Sequence, residues 1–136
     1  MDTENFKYKE ITGIILKSFY EVYNELGNGF LESVYENALD IVLTGYGMQV
    51  ERQKDIPVFF RGCNIGNFKS DLIINEKVIV ELKAVRTLDP VHEAQLINYL
   101  KATNIEVGLL INFGREPEFK RFVYDNTRKK TCDNQR

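Results

Sequence analysis

The chain has 136 residues, 43% of them hydrophobic, and carries 18 basic against 20 acidic side chains. This size suits one domain with a real apolar core, and the near-balanced charge gives no support to a strongly basic nucleic-acid-binding protein. The two cysteines, Cys63 and Cys132, lack metal-ligand spacing and are expected to be free thiols, and a single histidine excludes a histidine-rich zinc site.

The first residues are charged, and no apolar run approaches the ~18 residues of a membrane-spanning helix. We therefore expect no signal peptide and no membrane segment. The expected location is cytoplasmic.

Two amphipathic helices are predicted at the start of the chain. Apolar residues recur at three- and four-residue spacing from Lys9 to Leu26 and again from Leu31 to Thr44. The Gly27-Asn28-Gly29 segment between them accepts positive φ and suits a helix cap followed by a tight turn. Gly45 is expected to end the second helix.

The middle of the chain changes to β-forming residues. Strands are predicted from Met48 to Arg61, from Ile65 to Ile74 and from Val78 to Val85, separated by turn residues. Pro57 cannot donate to a ladder, so the first of these strands should lie at a sheet edge or contain a bulge. The three strands should form an antiparallel meander.

A third helix and a central strand are predicted next. Asp89 can cap the helix and Pro90 can occupy its first position, so a helix should run from Val91 to Ala102. The strand from Glu106 to Phe113 is apolar on both faces, as a central, parallel-paired strand would be. A last short strand is predicted from Phe119 to Tyr124.

The predicted layout is α-α-β-β-β-α-β, an α/β sandwich around a mixed sheet. We expect a single domain over residues 1–126. Residues 127–136 are polar and charged, and are expected to be a disordered tail.

Two charged residues interrupt the third strand, which is otherwise apolar on both faces. Because side chains alternate across a strand, Glu81 and Lys83 share one face with Ile79. Buried charges are costly unless they are paired, bound to metal or open to a wet cleft. The strand alone therefore leaves both a structural ion pair and a functional site open.

Asp71 is a further charge on the preceding strand, and its position relative to Glu81 depends on the loop between the two strands. A two-residue loop would point the carboxylates in opposite directions. A three-residue loop at 75–77 pairs Ile74 with Val78 and places Asp71 across from Glu81. Asn-Glu lacks the glycine that two-residue turns favour, so the three-residue loop is predicted.

Two adjacent carboxylates repel each other unless a proton or a cation holds them together. We therefore predict a divalent metal between Asp71 and Glu81, with Lys83 at its margin. Oxygen ligands without nearby histidine or cysteine favour Mg²⁺ or Mn²⁺, which serve phosphoryl chemistry. The alternative is a salt bridge from Asp71 to Lys83 or Lys69.

The order of these residues resembles a known motif. Asp71 followed by Glu81-Leu82-Lys83 resembles the D…ExK motif of the PD-(D/E)XK nuclease superfamily, whose element order matches the one predicted above. Ser70 stands where the superfamily name has proline, at a position that carries no ligand.

A second motif is more specific. The segment from Gly29 to Tyr35, with Glu32 at its centre, resembles the GxxExxY pattern of a bacterial and archaeal family within that superfamily. The similarity continues at Tyr35-Glu36-Asn37-Ala38-Leu39 and at Gln95–Leu100, and extends from Ile11 to Tyr124.

The resemblance implies a restriction-endonuclease-like fold and a third carboxylate from the helix that precedes the sheet. The implied metal ligands are Glu32, Asp71 and Glu81, with the Leu82 carbonyl a fourth. The implied catalytic residues are Lys83, Gln95 and Tyr99. Gln95 and Tyr99 lie one turn apart on one helix face, where they could orient Lys83 or the substrate phosphate.

The leading hypothesis is Mg²⁺- or Mn²⁺-dependent hydrolysis of nucleic-acid phosphodiesters, with DNA expected ahead of RNA and a homodimer as the expected assembly. A non-catalytic nucleic-acid-binding or assembly module with the same fold is one alternative, and a purely structural cluster of charges is another. Scattered basic residues, Arg86 and Arg115 among them, could contact phosphates or be solvated surface.

Overall fold

The computed structural model describes residues 8–129, which form a five-stranded sheet with helices on both faces. The elements are α1 (Lys9–Leu26), α2 (Glu32–Gly45), β1 (Val50–Phe60), β2 (Cys63–Ile74), β3 (Val78–Lys83), α3 (Pro90–Lys101), β4 (Val107–Phe113) and β5 (Pro117–Val123). The strands lie in chain order, and only β3 and β4 are parallel to each other. The predicted layout and the predicted extra strand are confirmed.

The core has two parts because side chains alternate across the central strands. The part under α1 and α2 contains the alternate residues Leu72, Ile74, Val78, Val80 and Leu82. The part under α3 contains Ile73, Ile79 and Leu110 with Leu96 and Leu100. Since β3 and β4 are buried on both faces, polar chemistry is confined to the ends of these strands.

One edge of the sheet is formed by β1, as Pro57 predicted, and a register shift follows Val58. The turn into β2 consists of Arg61 and Gly62 alone, which have φ of +50° and +79°. The second strand therefore begins at Cys63, two residues earlier than predicted.

The loop between β2 and β3 has the predicted length of three residues, because Ile74 pairs with Val78. Asn75 and Glu76 reverse the chain with φ of +52° and +58°. This register is the one that brings the acidic residues of the two strands to the same end of the sheet.

The start of α3 is capped as predicted. Asp89 Oδ1 accepts a hydrogen bond from the Val91 amide at 2.9 Å, and Pro90 is the first helical residue. This cap fixes the entry of the helix that covers the second part of the core.

The described residues extend beyond the predicted domain end at residue 126. A 3₁₀ helix spans Asn126–Arg128, and the Lys129 ammonium donates to the carbonyls of Thr103 and Ile105 at 2.9 and 2.8 Å. Residues 127–129 thus have defined contacts within the stretch for which a disordered tail was predicted. The sequence could not show these contacts, because the two carbonyls belong to a loop that is remote in the chain. The remaining tail lies outside the described residues.

Cys63 is an exposed free thiol, as expected, whereas Cys132 lies outside the described residues. Between residues 8 and 129, no helix is both long and apolar enough to cross a membrane.

Candidate active site

The candidate site begins where β2 and β3 separate. Leu72 and Val80 form the last pair of their ladder. Beyond this pair, the N–H of Leu82 donates to Asp71 Oδ2 at 2.9 Å. The Asp71 carboxylate thus accepts the hydrogen bond that a backbone carbonyl of β2 would accept in a continuous ladder. This hydrogen bond holds Asp71 against β3, the strand that carries Glu81.

Glu81 is a buried carboxyl group, with only 8% of the residue exposed. Burial, followed by the negative charge of Asp71 and a hydrogen bond with it, raises the pKa of Glu81 to about 9, whereas the positive charge of Lys83 opposes the change. Glu81 therefore holds a proton at neutral pH in the metal-free protein. Its Oε1 atom is buried and has no hydrogen-bond partner within the described part of the chain.

This carboxylate pair has the features that a divalent cation would use. A buried oxygen without a partner is costly, and a cation would satisfy it while displacing the proton. Oxygen-only donors of this kind fit Mg²⁺ or Mn²⁺. The pair of Asp71 and Glu81 is therefore the part of the predicted ligand set that the fold brings together.

The predicted third ligand lies at the margin of the pair. Glu32 is the exposed first residue of α2, and its Oε2 accepts the amide hydrogen of Ala84 at 3.4 Å, one residue after Lys83. Across residues 8–129, no three His, Cys, Asp or Glu side chains are grouped closely enough to hold an ion. Glu32 would have to move toward Asp71 and Glu81 to share a metal with them.

Lys83 ends β3 and is half-buried. No salt bridge joins it to Asp71 in the described residues, and Lys69 pairs instead with Asp55 at 2.8 Å. The alternative in which Asp71 forms a salt bridge with either lysine is therefore wrong. The ammonium of Lys83 is left available beside Glu81.

The α3 helix brings Tyr99 and Gln95 to the same place. Burial raises the pKa of Tyr99, and the charges of Glu81 and Asp71 raise it further, while a hydrogen bond with Gln95 lowers it. The tyrosine ring stacks on Phe68 with centroids 3.6 Å apart and planes 4° from parallel. The Tyr99 hydroxyl thus lies near both carboxylates and keeps its proton at neutral pH.

Two residues near Asp71 were not predicted from the sequence. Glu36 is buried and accepts hydrogen bonds from Arg52 Nε at 3.0 Å and from Gln53 Nε2 at 2.9 Å. The same Gln53 nitrogen lies 3.4 Å from Asp71 Oδ1, so its amide connects α2 with the candidate site. Gln53 has φ of +50°, which is uncommon outside glycine and had no sequence signal. The sequence signals for Glu36 were its spacing of one helical turn from Glu32 and its place in the family-like segment from Tyr35 to Leu39.

The GxxExxY segment has a clear structural role. Gly29 has φ of +109°, and the buried Tyr35 donates its hydroxyl hydrogen to the Gly27 carbonyl at 2.5 Å and accepts from the Phe30 amide at 3.2 Å. Its ring stacks on Phe113, with centroids 4.2 Å apart. These contacts fix the turn before α2 and so place the first residue of that helix at the end of β3.

A mixed sheet between helices, with carboxylates where β2 and β3 separate, defines a nuclease-like α/β domain. A sequence model of the PD-(D/E)XK nuclease superfamily matches residues 9–122. The chain belongs to this superfamily.

The fold comparison agrees with this assignment. The crystal structure of SSO0001 aligns with a TM-score of 0.54 and 18% identity, over 68% of this chain and 50% of that one. The present chain thus spans about half the length of the solved chain, and the likeness shows a shared restriction-endonuclease-like fold. A comparison with curated protein sequences found no match.

Proposed function

We propose that this protein is a nuclease that hydrolyses nucleic-acid phosphodiesters with Mg²⁺ or Mn²⁺. The observation that carries the proposal is the pair of Asp71 and Glu81, in which a buried carboxyl oxygen lacks a partner in the described residues. Members of the superfamily are usually nucleases and typically use these ions. That membership supports a nucleic-acid substrate.

The proposed metal ligands are Glu32, Asp71, Glu81 and the Leu82 carbonyl. A bound Mg²⁺ or Mn²⁺ would stabilise the charge that develops on the scissile phosphate and lower the pKa of a bound water. Glu81 would give up its proton when the ion binds, which makes metal affinity increase with pH.

The proposed catalytic residues are Lys83, Gln95 and Tyr99. The Lys83 ammonium holds the attacking water or a phosphate oxygen, and the protonated Tyr99 hydroxyl donates a hydrogen bond to the phosphate with Gln95 beside it. The water oxygen forms the new bond to phosphorus as the bond to the leaving oxygen breaks. Water loses one proton and the leaving oxygen gains one, so the products are a phosphate monoester and a hydroxyl group.

Two finer assignments belong to this proposal. We place the chain in the GxxExxY family, supported by the positive φ of Gly29, the position of Glu32 and the hydrogen bonds of Tyr35. We also propose DNA rather than RNA as the substrate, cut by a homodimer that presents one site to each strand. Sedimentation analysis of the purified chain tests the dimer.

The alternative is a nucleic-acid-binding or assembly module that keeps the fold without turnover. The observation that favours it is the absence, among residues 8–129, of three metal-binding side chains already grouped for an ion. A module of this kind would bind nucleic acid equally well with and without metal.

Cleavage assays separate the two functions. The full chain is incubated with Mg²⁺ or Mn²⁺ and single-stranded DNA, duplex DNA and RNA, and compared with Glu81→Ala, Lys83→Ala and the surface control Glu25→Gln. We expect metal-dependent cleavage that both site variants abolish and the control retains. Failure to cut any substrate, together with unchanged metal binding by Glu81→Ala, would reject the nuclease. Nucleic-acid affinity that is unchanged both by the addition of metal and by Lys83→Ala would support the non-catalytic module.

A further inference from the structure

A groove of about 450 Å³ opens beside the candidate active site, at the ends of β3 and β4. It is lined by Asn28–Phe30 before α2, Ala84–Arg86 after β3, and Phe113–Arg115 after β4. None of these lining residues has a carboxylate, and two of them, Arg86 and Arg115, are arginines. The lining therefore favours an anion.

Both arginines are available for a ligand. Arg86 and Arg115 are exposed, and neither forms a salt bridge within the described residues, whereas Arg52 is held by Glu36 and Asp40. An adjoining cavity of about 550 Å³ shares both arginines but also contains two glutamates, Glu116 and Glu118. An anion should therefore lie on the side of the arginines that faces α2, away from these carboxylates.

The backbone that carries Arg86 is held firmly. Asn112 is fully buried and forms two hydrogen bonds of 2.9 Å with Val85, accepting from its amide and donating to its carbonyl. A Cβ atom on Gly114 would lie 2.5 Å from the Val85 carbonyl oxygen, so only glycine permits this close approach.

The backbone that carries Arg115 is held by a side chain of helix α1. The Tyr23 hydroxyl, on α1, lies 2.9 Å from the Gly114 carbonyl oxygen and 2.5 Å from that of Arg115. Together with the contacts of Asn112, this gives a preorganised groove, which lowers the entropic cost of binding.

The groove begins one residue beyond Lys83 in the chain. Ala84, which lines it, follows Lys83 directly and donates its amide hydrogen toward Glu32. A polyanionic strand whose scissile phosphate lies at Lys83 would therefore pass its neighbouring phosphate over the groove. Guanidinium groups match phosphate oxygens in geometry and charge.

We infer that Arg86 and Arg115 form a binding site for the nucleic-acid phosphate adjacent to the one that is cut. This rests on the proposed function for the position of the cut, but the binding itself requires no chemistry.

The test measures binding in the absence of cleavage. A short fluorescein-labelled DNA, single-stranded or duplex, is titrated with the full chain in EDTA, and anisotropy is followed over a range of salt concentrations. The variant is Arg86→Gln with Arg115→Gln. The control is Arg61→Gln with Arg128→Gln, which removes the same charge from exposed arginines elsewhere. Thermal melting checks that all proteins fold.

We expect the Arg86/Arg115 variant to bind at least about tenfold more weakly, with the slope of log K against log salt reduced by about 0.7–0.9, as the loss of one neutralised phosphate requires. The control should bind within about twofold of the wild type. Equal weakening in variant and control, or no binding of DNA by the wild type, would overturn the inference.

The two proposals can fail separately. If the wild type cuts DNA while the Arg86/Arg115 variant binds and cuts normally, the phosphate site is wrong and the nuclease stands. If binding weakens as expected but no substrate is cut with any metal, the phosphate site stands and the nuclease is wrong.

Discussion

The side chain of Asp71 replaces a backbone carbonyl by accepting the Leu82 amide hydrogen at 2.9 Å, at the point where the β2–β3 ladder ends. Oδ2 of Asp71 thus satisfies the Leu82 amide of β3. The other oxygen, Oδ1, lies 3.4 Å from Gln53 Nε2. The structural role of Asp71 and its proposed role as a metal ligand would therefore be carried by one side chain, and substitutions can separate them.

Asp71→Asn should keep the fold and lose the metal. The asparagine oxygen can still accept the Leu82 amide, but the negative charge is gone, so Mn²⁺ affinity measured by calorimetry should fall at least about tenfold. Asp71→Ala should in addition cost about 1–3 kcal/mol of stability, because it leaves the Leu82 amide without a partner. Asp55→Asn, on an exposed ion pair, is the control. Unchanged Mn²⁺ affinity in Asp71→Asn would remove Asp71 from the ligand set.

The stability of the metal-free protein should fall as pH rises from about 4.5 to about 9. The pKa of Glu81 is raised from 4.5 to about 9 by burial, so over this range the folded state keeps a proton that the unfolded state releases. The stabilising contribution is complete below the unfolded pKa and is lost as pH rises through the folded pKa. Urea unfolding in EDTA at several pH values should show this slope, and Glu81→Gln should flatten it. Parallel slopes for both proteins would contradict the assignment.

Glu36→Gln should destabilise the protein by about 1–3 kcal/mol, because it removes the charge that Arg52 contacts and disturbs a buried hydrogen-bond group. Glutamine has a single accepting oxygen, and when Arg52 takes it, an NH₂ group faces Gln53 in place of its acceptor on α2. Activity should therefore also fall while Mn²⁺ binding is largely retained. Glu25→Gln, exposed on α1, should change neither. Denaturant titration and cleavage rates give the two measurements. Full activity in Glu36→Gln would show that the link through Gln53 is dispensable for positioning Asp71.

Gly114→Ala should destabilise by about 1–3 kcal/mol, because its new methyl group would overlap the Val85 carbonyl. The same displacement should move Arg86 and weaken DNA binding in EDTA. Gly13→Ala, on the exposed face of α1 with no atom within 4 Å of the added Cβ, should instead stabilise by about 0.5–1 kcal/mol. Thermal melting compares the stabilities of the two variants directly. Equal melting temperatures would contradict the close approach of Gly114 to the Val85 carbonyl.

Much of the fold was predictable because its signals are local. Apolar spacing predicted the helices, the glycines at 27 and 29 predicted the turn between them, and Pro57 predicted the edge strand. The loop at 75–77 predicted the register, and with it the closeness of Asp71 to Glu81. The structure of residues 127–129 was missed because the contacts of Lys129 are to a loop some two dozen residues away.

The sequence by itself determined the order of the elements, the faces of the strands and the identity of the charged residues on β2 and β3, because periodicity and turn chemistry depend on near neighbours. Only the tertiary structure decided which charges are paired. It left Lys83 without a salt bridge in the described residues, buried Glu81 with an unsatisfied oxygen, and joined Glu36 to Asp71 through Gln53. These properties depend on distances and burial between residues that are remote in the chain, and no local pattern records them.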